Sequence, residues 1–386
     1  MSFSRVIELA RTRAPSAVIA RARIEESRSD LVGARRFATR NPVFEADVGP
    51  RRSGDGLSTD VQTSLSFPLD LGGRRDKRVA VVDAEIERER LEAQSVERTA
   101  VGAAVSAYYQ ALHADRRLSL AEDRVRLADA AEVTARQRMR AGDVAEFEVN
   151  LARGEVARAK SGVVVARGEQ ARARAQLAAV LGIPITPVVG DLADRRMLET
   201  AGGNARPDLR ALAQEIEVSR AEVASARTER WPSLDLRVSY EHERDADIVL
   251  GGISIALPVF EHGQGEAARA RARGKRAGAE LAARTALASA EVESASQTST
   301  AMIAAVRILE LEAVPLSIEN ESAASASYRA GKIDLGALLV IRREALDTRR
   351  EHLDRLLDAA LAAVDLWIAR GAPTTRSDPS PIQETP

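Results

Sequence analysis

Two hydrophobic periods divide this chain. Val61, Thr63, Leu65 and Phe67 alternate with Asp60, Gln62, Ser64 and Ser66, and Leu234, Leu236, Val238 and Tyr240 alternate with Asp235, Arg237, Ser239 and Glu241. Ile253, Ile255 and Leu257 then alternate with Gly252, Ser254 and Ala256. A period of two predicts strands with one apolar and one polar face. The polar links "PRRSGDGLS" and "EHERDAD" suit exposed hairpin loops. Strands are therefore expected at about 42–49, 59–68, 233–241 and 248–258.

After Pro68 and Pro258 the period lengthens. Val79, Val82 and Ile86, then Val101, Val105, Tyr108 and Leu112, recur at three and four, which is helical spacing. This pattern runs from Arg74 to about Met139, roughly 100 Å of helix at 1.5 Å per residue. Gly142 ends it, as glycine does just past a helix C-terminus. A second helix is expected from about Val144 to Leu181, closed by Gly182 and Pro184. The other half of the chain repeats the scheme, from about Gly265 to Arg329 and from Asp334 to about Ala369. Pro315 is expected to kink or break the first of these.

The halves also match residue by residue. "MRAGDVAEFEVNLARGE" from Met139 and "YRAGKIDLGALLVIRRE" from Tyr328 place Gly142 and Gly331, and Glu155 and Glu344, 189 residues apart. "NPVFEADVG" from Asn41 matches "WPSLDLRVS" from Trp231 at 190, and "FPLDLGGRRDKR" from Phe67 matches "LPVFEHGQGEAA" from Leu257 at 190. A register held over so long a span marks an internal duplication. The expected organisation is a first repeat at 1–182 (N-terminal helices, two strands, helical hairpin 74–181), a connector at 183–206, a second repeat at 207–370 (helix, two strands, helical hairpin 264–369), and a disordered tail at 371–386.

Composition sharpens this reading. Aromatic residues are 3% against 29% charged, too few aromatics for a compact globule and in keeping with long helices. The formal net charge of −1 offers no field for nucleic acid. With no cysteine, disulfides, a thiolate nucleophile, Cys-ligated zinc and a lipidated cysteine are excluded. The N-terminal stretch has no continuous apolar run of 7–15 residues, so no signal peptide is expected within this chain. No window approaches the ~20 apolar residues of a transmembrane helix. Taken alone, these two absences suggest a soluble protein.

The strands argue otherwise. Four strands with an apolar face leave two open edges, and in a bilayer each unpaired backbone group costs several kcal/mol. An apolar face suits lipid and a polar face suits a watery lumen. About eight strands make the smallest useful barrel, so closure needs strands from more than one chain. The pattern predicts an oligomer.

Here the sequence resembles the TolC-like outer-membrane efflux proteins, over roughly Val6–Gly371. The resemblance is carried by the paired "RAG" turns with Glu155 and Glu344, by "LAAVLGIP" at Leu177–Pro184, and by "RPDLRALAQEIEVSRAEVASARTERWPSL" at Arg206–Leu234. "FPLDLGGRRDKR" and "LPVFEHGQGEAARA" look most like the CzcC-like branch, which serves heavy-metal pumps of the RND type. The resemblance implies a mostly α fold with a small β part: a homotrimer with a 12-stranded β-barrel in outer-membrane lipid, on a 12-helix α-barrel crossing the periplasm. It implies that the helical tips dock onto a periplasmic adaptor (membrane fusion) protein, which couples the duct to an inner-membrane pump. Carried onto this chain, Arg140, Ala141, Gly142, Arg329, Ala330 and Gly331 make that contact. The implied location is the outer membrane of a Gram-negative bacterium, extending into the periplasm, with the export leader upstream of Met1 or already removed. The alternative is a soluble coiled-coil scaffold that binds through its helical hairpins.

Other features carry competing readings. The two glycine turns read equally as plain helix stops. Asp143, Glu146 and Asp334, with Glu148, are candidate tunnel-mouth carboxylates that attract cations, or ordinary acids in a helix's first turn. None of His113, His242, His262 and His352 lies i, i+4 from another, so no metal site is expected; "EHERDAD" reads as a solvated hairpin tip or a weak cation loop. "LGGRR" and "HGQG" lack a phosphate-loop pattern and read as strand-to-helix bends. Tyr108, Tyr109 and Trp231 read as helix packing or interface-belt residues. No catalytic constellation is found, so neither an enzyme nor a cofactor is expected.

Overall fold

The computed structural model describes residues 1–38, 40–53, 56–184, 187–194, 198, 206–243 and 246–371. The chain runs α1 (Phe3–Arg13), α2 (Pro15–Ala34), β1 (Val43–Ser53), β2 (Gly56–Leu69), α3 (Arg74–Ala141) and α4 (Glu146–Leu181). It continues with α5 (Pro207–Ala226), a 3₁₀ turn (Arg227–Arg230), β3 (Ser233–Glu243), β4 (Ala246–Ala256), α6 (Gln264–Ile308), a π-helical turn (Leu309–Ala313), α7 (Val314–Arg329) and α8 (Leu335–Ala369). The fold is mostly helical with one small antiparallel sheet. Contacts group it into two units, each drawing on both halves of the sequence: one of Met1–Ile19, Gln94–Arg206 and Ala286–Pro386, the other of Ala20–Ala93 and Pro207–Thr285. The expected hairpin-loop residues 54–55 and 244–245, much of the 183–206 connector and the tail from 372 lie outside the described residues.

The second unit holds the sheet, ordered β1-β2-β3-β4. Its register aligns the apolar positions into rows: Phe44 opposite Leu65, Leu65 opposite Val238, Phe67 opposite Leu236, and Leu236 opposite Ile253. Because side chains alternate, these rows lie on one face, and Phe44, Leu65, Val238 and Ile253 are all exposed there. The other face carries Glu45 opposite Ser64 and Gln62 opposite Glu241, and the Ser64 hydroxyl donates to Glu45 at 3.2 Å. The alternation is imperfect in β4, where Ile248 and Leu250 pair with Glu241 and Ser239 on the polar face. Within the sheet β1 and β4 each pair on one side only. Where β2 and α3 meet, Arg78 binds the Asp70 carboxylate at 2.7 Å, and Arg74 donates to the Thr228 and Trp231 carbonyls.

The first unit has the larger apolar core. Val6 and Leu9 of α1, Val105, Tyr108, Tyr109 and Leu112 of α3, Leu177 and Leu181 of α4, and Leu356, Val364 and Trp367 of α8 bury together. Phe3, Tyr108 and Tyr109 form an aromatic trio, with Tyr108 edge-on to Tyr109 at 5.5 Å. Their hydroxyls reach outward from the core, Tyr108 donating to the Val189 carbonyl and Tyr109 to that of Asp194, each at 2.9 Å. Both tyrosines are thus packing residues that also tie down the connector.

Pro315 does not break its helix. The π-helical turn Leu309–Ala313 precedes it, and the proline stands in the first turn of α7. A wider turn shifts the hydrogen-bond ladder by one residue, and a proline directly after it sits where its missing N–H costs least.

Candidate docking site at the paired helical turns

Both Arg-Ala-Gly segments form the same hydrogen-bonded turn. After α3, the Gly142 N–H donates to the Met139 carbonyl at 3.1 Å and the Asp143 N–H to the Arg138 carbonyl at 2.9 Å. After α7, the Gly331 N–H donates to Tyr328 at 3.0 Å and the Lys332 N–H to Ser327 at 2.9 Å. Donors and acceptors correspond residue for residue at the 189-residue offset. This is the Schellman closure, which needs a left-handed residue just past the helix. Gly142 (φ 83°) and Gly331 (φ 71°) supply it, at a conformation costly for residues with a Cβ. Arg140, Ala141, Gly142, Arg329, Ala330 and Gly331 are all exposed.

Beneath the turns the two hairpins share a small core of Ala131 and Ala135 (α3), Val149 and Ala152 (α4), Ala324 and Tyr328 (α7), and Leu335 and Leu338 (α8). The Arg138 guanidinium lies 5.0 Å above the Tyr328 ring, a cation–π contact across the hairpins. Burial pushes the Tyr328 hydroxyl pKa above its ordinary value. Arg342 of α8 donates to the Leu127 carbonyl at 3.0 Å and to Ser325 Oγ at 3.4 Å.

The two second helices start differently. Asp334 caps α8, its Oδ1 accepting from the Ala337 N–H at 2.7 Å. Its counterpart Ala145 has no side chain to cap α4, whose first turn carries Glu146 and Glu148 instead. Of the candidate tunnel-mouth carboxylates, Asp334 is thus engaged with its own helix, while Asp143 and Glu146 are exposed.

The two motif glutamates also diverge. Glu155 lies between Arg124 and Arg158, accepting from them at 2.7 and 3.0 Å. Glu344 is exposed and lines a groove of about 500 Å³ between α7 and α8. The histidines do not converge: His113 meets Asp354 at 2.8 Å, His242 meets Asp247 at 2.7 Å, and His352 meets Glu310 at 3.2 Å. Among the described residues no group of three or more His, Cys, Asp or Glu is placed to hold a metal, and no helix is long and apolar enough to cross a membrane.

The sequence profile of the outer membrane efflux protein family matches residues 6–183 and 203–372, nearly the whole chain. The chain belongs to that family. Efflux proteins of this family are transport conduits rather than enzymes. Solved structures agree on the fold. The chain is similar to CusC, a transmembrane channel, with a TM-score of 0.79 and 18% identity, over 96% of this chain and 92% of CusC. It is similar to the outer membrane protein VceC of Vibrio cholerae (TM-score 0.72, 17% identity, 96% of each chain). It is also similar to the open outer membrane channel MtrE of Neisseria gonorrhoeae (TM-score 0.73, 19% identity, 96% of this chain and 88% of MtrE). No curated protein matches the chain by sequence.

Within this efflux protein Glu155 sets one pH response. Burial alone raises its pKa, but the hydrogen bonds and charges of Arg124 and Arg158 outweigh that and hold the carboxyl below its usual range. A depressed pKa stabilises the folded state above the unfolded value and loses that contribution as pH falls through the folded value. Glu155→Gln is therefore expected to lower stability near neutral pH by on the order of 1 kcal/mol. The gap to the parent should close below about pH 4 in urea melts across pH.

Proposed function

We propose that this efflux protein is one subunit of a homotrimeric exit duct in the outer membrane of a Gram-negative bacterium. Three copies contribute four strands each to a 12-stranded barrel, apolar face to lipid and polar face to water. The observation that carries this is the sheet: its apolar residues align in rows on an exposed face, and both its edges are open. Such a sheet is poorly suited to water, and closing it with copies of itself removes the edges.

The helical hairpins extend the duct through the periplasm, and their tips, Arg140, Ala141, Gly142, Arg329, Ala330 and Gly331, dock an adaptor that links to an inner-membrane pump. Two tips per chain, alike in backbone closure, give six around a trimer, which accounts for the duplication. The pump is of the RND type and the cargo a metal cation, on the resemblance of "FPLDLGGRRDKR" and "LPVFEHGQGEAARA" to the CzcC-like branch. The duct makes and breaks no bond; cargo diffuses through a polar lumen once the tips open. The capping role of Asp334 supports reading the turn carboxylates as helix-start acids rather than as a cation-attracting ring.

Expressed behind an export signal, the chain is expected to sediment with outer membranes and to resist alkaline extraction. Recovery from the soluble periplasmic fraction would favour the coiled-coil scaffold instead.

A further inference from the structure

The two turns share a backbone but not a surface. At the 189-residue offset, Met139 corresponds to Tyr328, Asp143 to Lys332, Glu146 to Leu335 and Phe147 to Gly336. In the second turn the apolar members are inside: Tyr328 is 2% exposed, and Leu335 is fully buried in the core beneath the hairpins. In the first turn they are outside: Phe147 is 68% exposed and Met139 37%. At these corresponding positions the second turn buries Tyr328 and Leu335 in the chain itself, while the first leaves an aromatic and a methionine exposed beside its turn.

Charge divides the same way. Residues 139–148 hold one arginine, Arg140, against Asp143, Glu146 and Glu148. Residues 328–337 hold Arg329 and Lys332 against Asp334 alone, whose carboxylate is occupied as a helix cap. One turn is acidic with an apolar anchor; the other is basic without one.

We infer that the two turns are unequal docking sites, and that the first is the anchor, taking the end of a partner protein whose surface is basic around an apolar socket for Phe147. This rests on the docking reading above and adds which turn holds and by what chemistry. An exposed aromatic with like charges beside it in the chain is the composition of a binding anchor, since the aromatic supplies buried area and the charges select and steer the partner. Identical partner ends cannot match both turns equally, because a basic end that suits Asp143 and Glu146 is repelled by Arg329 and Lys332. The second turn then keeps a supporting contact, held through its backbone closure.

The absence of cysteine allows a direct test. Full-length Phe147→Cys and Gly336→Cys, produced in the native host, are labelled with benzophenone maleimide and irradiated in intact cells. Cross-linked peptides are then sequenced. The expected result is a yield at position 147 at least about fivefold that at 336, to another protein, at a peptide bearing Lys or Arg near the cross-link. Asp143→Lys with Glu146→Lys should cut the yield at 147 about tenfold, while Lys332→Asp leaves it unchanged. Equal yields from both positions to one partner peptide would leave docking intact and overturn the inequality. An acidic partner peptide, or a cross-link at 147 to a second copy of this chain, would overturn the assigned partner. Cross-links to no other protein at either position would overturn docking itself.

Discussion

Glutamate at both Gly142 and Gly331 is expected to abolish partner docking and export while leaving an assembled, membrane-inserted protein. Both glycines close their helices at positive φ, and both are exposed, with room for a Cβ at each. A residue with a Cβ in the left-handed region costs about 1–2 kcal/mol. Two such costs leave a protein of ordinary stability, about 5–15 kcal/mol, largely folded. Docking is another matter: each substitution places a flexible charged side chain at the apex of a turn whose neighbours are the proposed contact. The matched control is Gly142→Ala with Gly331→Ala, which carries the same backbone cost and almost no bulk. Co-purification of partner proteins with each variant, alongside export from intact cells, separates the two effects. A glutamate pair that folds, docks and exports like the parent would reduce the turns to helix stops.

The largest loss of stability is expected at Tyr109. Its side chain is 1% exposed, its ring packs between Phe3 and Tyr108, and its hydroxyl donates to the Asp194 carbonyl. Tyr109→Ala removes the ring and opens a cavity where α1, α3, α4 and α8 meet, an expected cost of about 3–5 kcal/mol. Tyr109→Phe keeps the ring and removes one hydrogen bond, so about 0.5–1.5 kcal/mol should go. In guanidinium titrations of the detergent-solubilised protein, the alanine midpoint should fall well below the phenylalanine midpoint. Coincident midpoints would place the stability in the hydroxyl alone and contradict the packing account.

These two sites differ in how far the sequence announces them. The turns were legible because glycine after a long 3.6-residue pattern has few other uses, and because the same segment recurs 189 residues on. The strands were legible because period two cannot be mistaken for a helix over six residues. The difference between the turns was not. Met139 and Tyr328 occupy equivalent positions, yet one is exposed and the other buried, since burial depends on which neighbouring helix arrives at that level. The same limit hid the Arg138–Tyr328 contact and the reach of Arg124 to Glu155, which join residues on different helices, whereas Arg158 is i, i+3 from Glu155 on α4. At Pro315 the local signal predicts a kink or break, and the irregularity takes the form of a π-helical turn just before it, which has no sequence signature comparable to proline's. In β4 the pattern faltered at Ile248 and Leu250, where apolar residues stand on the polar face.

The central claim is that the sheet becomes a barrel only when copies of the chain share it. Native mass of the protein in detergent, after export and extraction from outer membranes, tests this most directly. The account predicts a particle of three chains, near three times 41.5 kDa after subtraction of bound detergent. A monomer or dimer of that mass unit, stable in the absence of detergent, would contradict it.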